Sequence, residues 1–374
     1  MRWCQSCVLP DTRPNLRIGE DGICNACKSH DTKREVDWAH RERQLRSVVD
    51  FARKSSEPTG YDCVIPVSGG KDSTWQTVRC LELGLRPLAV TWKTPARTAI
   101  GQQNLDNLIR LGVDHIDYQI NPNVEARFML KALTQHGSTA IPMHMALFNI
   151  PLTIALRFRV PLVVWGENSA FEYGSHDEVD TGFRLSGGWL KTYGVTHGTT
   201  ARDWVDKELS TKDLVPYFGP GDAELEEAGL HAIFLGYYLP WDPDETYRVA
   251  AARGFRSEHR ARTGYYSYAD IDDDFISIHH WLKWYKFGFT RLFDNLSLEI
   301  RNGRLSREEA LKVIKATADQ TPRRDISKFC EFVGVSERKF YEIAEGFRNR
   351  AIWERRSDGI WQIPEFLIPD WEWT

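Results

Sequence analysis

Tyr61-Asp62-Cys63-Val64-Ile65-Pro66-Val67-Ser68-Gly69-Gly70-Lys71-Asp72-Ser73-Thr74-Trp75 reads as a short apolar strand, a glycine-rich turn and the first turns of a helix. Adjacent Gly69 and Gly70 let backbone N–H groups converge with no Cβ in the way. The helix start adds about half a positive charge, so the turn is built for an anion, and phosphate is the obvious guest. It is not a Walker A loop, which needs Ser or Thr directly after Gly-Lys and another glycine well upstream; here Asp72 follows Lys71. Pro66 removes one ladder donor, which is tolerable only at the last turn of the strand before the loop.

Outward from this stretch the pattern alternates. Strands are predicted over 62–67, 86–92, 115–120 and 161–165, separated by helices over 72–83, 100–111, 124–135 and 143–158, with one further strand over 232–239. Near-continuous apolar strands alternating with helices imply an α/β fold, a parallel sheet with helices on both faces. Right-handed crossovers bring every strand's carboxyl end to one edge, where open α/β sheets bind ligands. Residues 68–73, the Val90-Thr91-Trp92-Lys93 end and the Trp165-Gly166-Glu167-Asn168 end therefore share one rim.

A second motif opens the chain. Cys4-x2-Cys7 and Cys24-x2-Cys27 are separated by sixteen residues, the spacing of a four-thiolate zinc ribbon. Two disulfides are disfavoured in a reducing compartment, and a redox pair would need only one Cys-x-x-Cys beside a βαβ unit. Structural Zn²⁺ on Cys4, Cys7, Cys24 and Cys27 is the expectation, with an iron–sulfur cluster as the minority reading. Four sulfurs leave no position for water, so the metal would hold the first thirty residues folded and not act as a Lewis acid. Cys63, Cys80 and Cys330 sit singly in apolar or helical patterns and read as buried small hydrophobes.

The chain has 374 residues, 42% of them hydrophobic and 27% charged, which suits a globular protein of several units. The expected division is a ribbon over 1–30, a linker helix over 31–60, a nucleotide domain over 61–240 with an insertion at 171–230 lying over the rim, and an aromatic-rich, mostly helical region over 241–374. In that last region helices are predicted over 275–293, 306–318, 325–333 and 336–347, and the Trp-rich tail over 361–373 is expected to be packed. Ser306 followed by Glu309 fits a capping box; Ser336 followed by Lys339 does not. A net charge of −4 provides no global positive field for a polyanion, so no nucleic-acid partner is expected. No stretch approaches the roughly 20 apolar residues that span a bilayer and no apolar signal region opens the chain, so a cytoplasmic protein without membrane insertion is expected.

Ser68-Gly69-Gly70-Lys71-Asp72-Ser73 resembles the PP-loop of ATP pyrophosphatases, whose fold is adenine nucleotide alpha hydrolase-like and which split ATP into AMP and pyrophosphate. Over nearly its whole length the chain further resembles the N-acetyl sugar amidotransferase family of bacterial surface-polysaccharide biosynthesis. The motifs that carry this are Cys4-Gln5-Ser6-Cys7-Val8-Leu9-Pro10-Asp11-Thr12-Arg13-Pro14, the glycine loop, Trp165-Gly166-Glu167-Asn168 with Glu172-Tyr173-Gly174, Phe234-Leu235-Gly236-Tyr237-Tyr238 with Pro240-Trp241-Asp242-Pro243, and Lys286-Phe287-Gly288-Phe289 with Glu299-Ile300-Arg301. The resemblance implies conversion of an acetamido group on a nucleotide-linked sugar to an acetamidino group in lipopolysaccharide O-antigen or related biosynthesis. ATP and Mg²⁺ are the implied cofactors, and ammonia would come from a separate glutaminase subunit of the histidine-biosynthesis type. The chain has neither an N-terminal catalytic cysteine, since Cys4 is a metal ligand in this reading, nor a Gly-x-Cys-x-Gly elbow of its own.

Roles follow from residue type within that resemblance. Ser68, Gly69, Gly70 and Ser73 would hold pyrophosphate oxygens. Asp72 would position the loop or share Mg²⁺ with the phosphates, and Lys71 either touches phosphate or is solvated. Val90, Trp92 and Lys93 lie where PP-loop proteins seat adenine. Glu167 and Asn168 are candidates for sugar hydroxyls, a metal or the reacting amide, with helix capping the alternative for Asn168. His144, His176 and His197 are candidate proton carriers, each more simply structural. Arg184, Lys191, Arg256 and Arg262 are candidate partners of substrate anions. The run Asp270-Ile271-Asp272-Asp273-Asp274 is read as the N-cap of the next helix in preference to a cation site. The rival reading is a PP-loop tRNA thiolase, but sulfur delivery needs a reactive thiol near the rim, where only Cys63 and Cys80 lie. A non-catalytic zinc-ribbon interaction protein would not require the glycine loop.

Overall fold

Apolar runs pair into one parallel sheet, β1 Cys63–Pro66, β2 Pro87–Trp92, β3 Asp114–Tyr118, β4 Leu162–Trp165 and β5 His231–Phe234, in the order β3-β2-β1-β4-β5. The structure is a computed structural model that describes residues 1–57, 59–175, 181–317 and 320–373. The chain steps outward from β1 to β3 and then resumes on the other side of β1 with β4. The order reverses between β1 and β4, and their carboxyl ends flank the crevice where such sheets take ligands.

Alternation along each strand feeds two cores. Val64, Leu88, Val90 and Val163 meet Phe128, Met145 and Ile150 from the helices Pro122–His136 and Ala140–Phe158. Cys63, Ile65, Ala89 and Val164 meet Leu45, Trp75 and Leu105 from the helices Trp38–Ser55, Lys71–Glu82 and Ala99–Ile109. Helices thus cover both faces, as the sequence pattern requires of a parallel sheet. Pro66 is the last residue of β1, and Val67 N–H resumes the ladder to Val90 O at 2.9 Å.

Several expectations are corrected. The strand over 232–239 stops at Phe234, and Leu235–Tyr238 coils into a helical turn, because Gly236 must approach the end of β4: its N–H donates to Gly166 O at 2.9 Å. The helix over 275–293 is two helices, Ile276–Phe287 and Arg291–Arg301, divided at Gly288, whose φ of +71° ends the first. One helix, Ala140–Phe158, is by length and composition long and apolar enough to cross a membrane, contrary to the sequence reading; half of its most apolar window is buried inside the protein, against the sheet. The described part of the insertion does not merely cover the rim. Trp189, Trp204, Leu214 and Tyr217 enter the core beneath one face of the sheet, and Leu185 N–H pairs with Ala232 O beside β5 at 3.0 Å.

Other details stand as read. Ser306 and Glu309 form a reciprocal capping box on Arg307–Ala316, whereas Ser336 only accepts from Lys339 N–H ahead of Glu337–Gly346. The tail is packed: Ile363, Phe366 and Ile368 are buried, and Trp371 and Trp373 lie against Phe366 at 5.3 and 5.2 Å between ring centres. A small hairpin, β6 Glu354–Arg355 with β7 Trp361–Gln362, precedes it. The cysteine unit shares one core with this C-terminal region, where Cys4, Val8 and Leu9 meet Phe289, Phe293, Ile314 and Trp353. Cys63, Cys80 and Cys330 are buried free thiols.

Candidate functional site

The glycine loop joins β1 to the helix Lys71–Glu82, whose N-cap residue is Gly70 and whose first N–H groups have no side-chain cap. Such an end presents donors and positive potential to an anion. Gly69 has φ +88°, and a Cβ there would lie 2.6 Å from Leu105 N and 2.8 Å from Leu105 Cα, which is backbone that cannot step aside. Gly69→Ala is therefore expected to cost about 1–3 kcal/mol or more of stability and to displace the loop. Thermal melting and nucleotide turnover should both fall, and an unchanged melting temperature with full activity would refute the tight fit. Ser68 Oγ accepts from Gly70 N–H at 3.2 Å and Ser73 Oγ donates to Gly70 O at 3.0 Å, so both hydroxyls brace the turn.

A cavity of about 170 Å³ opens in front of the loop, lined by Ser68, Gly70, Lys71, Asp72 and Ser73 on one side and by Glu167 and Tyr173 beyond β4 on another. Lys71 is buried, not solvated. Its Nζ lies 2.7 Å from both Asp72 carboxylate oxygens and 3.3 Å from Thr246 Oγ1, with the Trp241 and Tyr268 rings 5.5 and 5.8 Å away. Trp241 Nε1–H donates to Asp72 Oδ1 at 3.0 Å, so two donors fix this carboxylate while part of it stays open to the cavity. Glu167 follows the last strand residue of β4 by two, and burial, with the nearby Asp72 charge, pushes its carboxyl up to about 7. Asn168 does not line the cavity. Its Oδ1 accepts from Ala170 N–H at 2.9 Å and Trp189 Nε1–H at 3.0 Å and its Nδ2 donates to Gly182 O at 3.0 Å, so it caps Ser169–Tyr173 and ties down the insertion.

The acidic run closes the cavity and does not serve mainly as a helix cap. Thr98 N–H donates to Asp272 O at 3.1 Å, Thr98 Oγ1 donates to Ile271 O at 2.5 Å, and Asp274 N–H donates to Ala96 O at 3.0 Å, which docks the run beside the sheet rim. Asp270 and Asp272 line the cavity. Burial pushes Asp272 up, opposed by a hydrogen bond from Ser68. For Asp270 burial is outweighed by Arg291 and His280, at 3.3 and 3.4 Å, which hold it far below the usual carboxylate range. Asp273 accepts from Phe275 N–H at 2.8 Å just ahead of Ile276–Phe287, but no side chain caps that helix, so the expected N-cap is absent. Sequence reasoning missed Asp272, Arg291, Trp241 and Tyr268 as cavity residues; the Pro240-Trp241-Asp242-Pro243 motif was the one local signal for Trp241.

Other sequence candidates fall elsewhere. Val90 is 1% exposed with its side chain in the core, Trp92 Nε1–H donates to Glu125 Oε1 at 2.8 Å, and Lys93 N–H donates to Tyr118 O at 2.8 Å. These residues end the strand next to the loop, which Thr91 Oγ1 joins by donating to Val67 O at 2.7 Å, but they do not line the cavity. His144 Nδ1 lies 3.0 Å from Ala140 O within its own helix. His197 is exposed on the insertion, and His176 lies outside the described residues. Arg262 is held by Asp274 and Asp325 at 2.5 and 2.9 Å, Arg184 by Glu226 at 2.9 Å, while Arg256 and Lys191 are exposed.

The four ribbon cysteines converge. All four Sγ atoms lie within 4.8 Å of one another, and Cys7 and Cys24 are 3.8 Å apart, the edge of a tetrahedron with Zn–S near ~2.3 Å and far beyond a ~2.05 Å disulfide. Cys7 and Cys24 N–H groups lie 3.5 and 3.3 Å from Cys4 Sγ. Beside them Arg301 is buried; among the described residues its Nε and Nη1 have no hydrogen-bond partner, while Nη2 donates to Glu172 O at 3.3 Å. Burial would lower this guanidinium, but Cys7, Cys27 and Cys24 hold it up. A tetrathiolate–zinc unit carries net negative charge, so a guanidinium with idle donors against it fits that centre and ill suits four neutral thiols.

A family model described as "LPS biosynthesis protein WbpG-like, C-terminal domain" matches residues 261–367, which bears out the family resemblance over that region. No curated protein matches the chain. Among solved structures, NMN synthetase from Francisella tularensis is similar at 13% identity and a TM-score of 0.34, covering 76% of this chain and 98% of that one.

Proposed function

We propose that the chain is a cytoplasmic ATP-dependent amidotransferase of surface-glycan biosynthesis that turns an acetamido group of a nucleotide-linked sugar into an acetamidino group. One observation carries the reading: the region that matches an LPS-biosynthesis family supplies Tyr266, Tyr268, Asp270, Asp272 and Arg291 to the same cavity as the anion-binding glycine loop. An amide is a poor electrophile and oxide a poor leaving group, so ammonia will not replace the oxygen unaided. Attack of the amide oxygen on the α-phosphorus of ATP forms an O-adenylyl imidate and releases pyrophosphate. Ammonia then adds to the imidate carbon and AMP leaves, giving the amidine.

The loop amides with Ser68 and Ser73 receive the departing pyrophosphate, and Arg291 adds positive charge at the cavity wall. Asp72 and Asp272 are the carboxylates that would hold the Mg²⁺ accompanying ATP, which supplies charge neutralisation on the phosphates. Adenine would rest beside the end of β2 adjoining the cavity, against main chain and not against the side chains of Val90, Trp92 or Lys93, which lie outside the cavity lining. Glu167 takes the proton that ammonia loses on adding to the imidate. Zinc on the four ribbon cysteines is structural, and a partner glutaminase delivers ammonia. The thiolase alternative is weakened because Cys63 and Cys80 are 0% and 1% exposed, which leaves no thiol at the cavity.

The test is incubation with ATP, Mg²⁺, ammonium and a UDP-linked diacetamido sugar. AMP, pyrophosphate and a product lighter by about one mass unit, cationic at neutral pH, are expected, and ADP as the sole product would overturn the reading. At constant free ammonia the rate should rise with pH to a plateau above about 7, as Glu167 loses its proton. Glu167→Gln should flatten that rise and lower turnover by about 10²–10⁴. Because the folded carboxyl titrates near 7 and the free side chain near 4.5, the folded state binds the proton more tightly and loses stability as pH rises across that window. Glu167→Gln should therefore melt at or above wild type at pH 8, separating a catalytic loss from a folding one.

A further inference from the structure

Next to Tyr173, outside the cavity lining, lies a shelf of basic side chains, Arg13, Lys283 and Lys286, together with His279, whose imidazole burial and then Lys283 keep well below its ordinary range and so neutral. Tyr173 lines the cavity and the Arg13 guanidinium lies 5.3 Å from its ring centre. Arg13 Nε and Lys283 Nζ both reach one buried carboxylate, Asp294, at 2.8 and 3.2 Å. On the same helix His279 lies one turn before Lys283, and Lys286 follows it by three residues. The His144 ring faces His279 at 6.2 Å.

The charges on this shelf do not balance. Asp294 serves two cations, and among the described residues Lys286 makes no ion pair; its Nζ donates to His136 O at 3.5 Å. Burial, and then Lys283, push Lys286 down to about 8, and the neighbouring His136 and His197 bring no negative charge. Like charges three residues apart on a helix, half-buried, destabilise the fold. The chain as a whole carries −4, so this surplus is local and not a reflection of composition.

We propose that Arg13, His279, Lys283 and Lys286 bind the diphosphate of the nucleoside-diphosphate sugar, leaving the sugar to extend past Tyr173 toward Glu167. The inference rests on the amidotransferase reading for the identity of the sugar substrate. Two phosphates supply the negative charge that the shelf lacks, while the phosphates of ATP have their own loop. The ribbon contributes Arg13 and the helix Ile276–Phe287 contributes the rest, so the substrate would be clamped between the N-terminal ribbon and that helix.

Calorimetric titration of the full chain with UDP, with ATP and with inorganic pyrophosphate is the experiment. UDP is expected to bind wild type and Asp72→Asn alike, and at least tenfold more weakly to Lys286→Met and Lys283→Met, with ATP affinity unchanged in the two lysine variants. Without ligand Lys286→Met should melt at or above wild type, because a repulsive contact is removed; a merely structural lysine would give a lower melting temperature. The proposal is overturned if both lysine variants bind UDP as wild type does, or if Asp72→Asn loses UDP and the lysine variants do not, since the diphosphate would then sit at the glycine loop. Unaltered UDP binding in the lysine variants alongside amidine formation sinks the shelf alone. Shelf-dependent UDP binding with no amidine from any nucleotide sugar sinks the amidotransferase reading and leaves the shelf standing.

Discussion

Asp72→Asn is expected to reduce formation of AMP and pyrophosphate by about 10³-fold while the protein stays folded. A first-turn carboxylate is favourable to the helix by itself and pairs with Lys71, but its open part faces the cavity, where it would repel a bound phosphate unless a cation stands between them. The side chain is also held rigidly, by Lys71 Nζ at 2.7 Å and Trp241 Nε1–H at 3.0 Å. Asparagine keeps an oxygen for Trp241 and removes only the charge. The folding cost should be modest, because Asp72 is 34% exposed and a half-open ion pair contributes little, although Lys71 at 6% exposure loses its counterion. Chromatography of the nucleotide products checks the outcome. Wild-type rates of AMP release in Asp72→Asn would remove the loop from the chemistry.

How much of this was legible depends on the distance over which each feature is decided. The glycine loop, the strand alternation and the four cysteines are local patterns, and the structure keeps each of them. The rim that joins residues 68–73 to Glu167 follows from the handedness of the crossovers, which needs no side-chain detail. The acidic run was misread because its place is set by Thr98 and Ala96, more than 170 residues upstream, and no periodicity reports such a contact. For Lys71 the sequence leaves phosphate contact and solvation open, and its burial is undecidable there for the same reason: Trp241, Thr246 and Tyr268 enclose it from far along the chain. The overlong strand and helix did carry a warning. Gly236 and Gly288 each sit where an apolar run stops being regular, one for close approach to β4 and one for a left-handed helix end.

Cys24→Ser is expected to release the zinc and to unfold more than the first thirty residues. Structural zinc in isolated fingers carries about 10–16 kcal/mol of apparent binding free energy, and a serine cannot replace the thiolate. Here the ribbon has no separate core: Cys4, Cys7, Val8 and Leu9 pack with Phe289, Phe293 and the Trp-rich tail, and Arg307 Nε–H donates to Cys7 O at 3.1 Å. The effect should also reach the cavity. Arg301 joins the cysteine cluster to Glu172, Lys33 holds the Glu172 carboxylate at 2.7 and 2.9 Å and Trp241 O at 3.0 Å, and Trp241 in turn donates to Asp72. Metal analysis and thermal melting of the purified variant decide the matter. Full zinc occupancy with an unchanged melting temperature would refute the assignment. Arg301→Met is the milder companion, since it leaves all four ligands in place and removes only the guanidinium whose idle donors face them. It should release zinc to a competing chelator about 10–100-fold more readily. Chelator resistance equal to wild type would mean that Arg301 serves only packing and its bond to Glu172 O, and that the cysteine cluster needs no balancing charge.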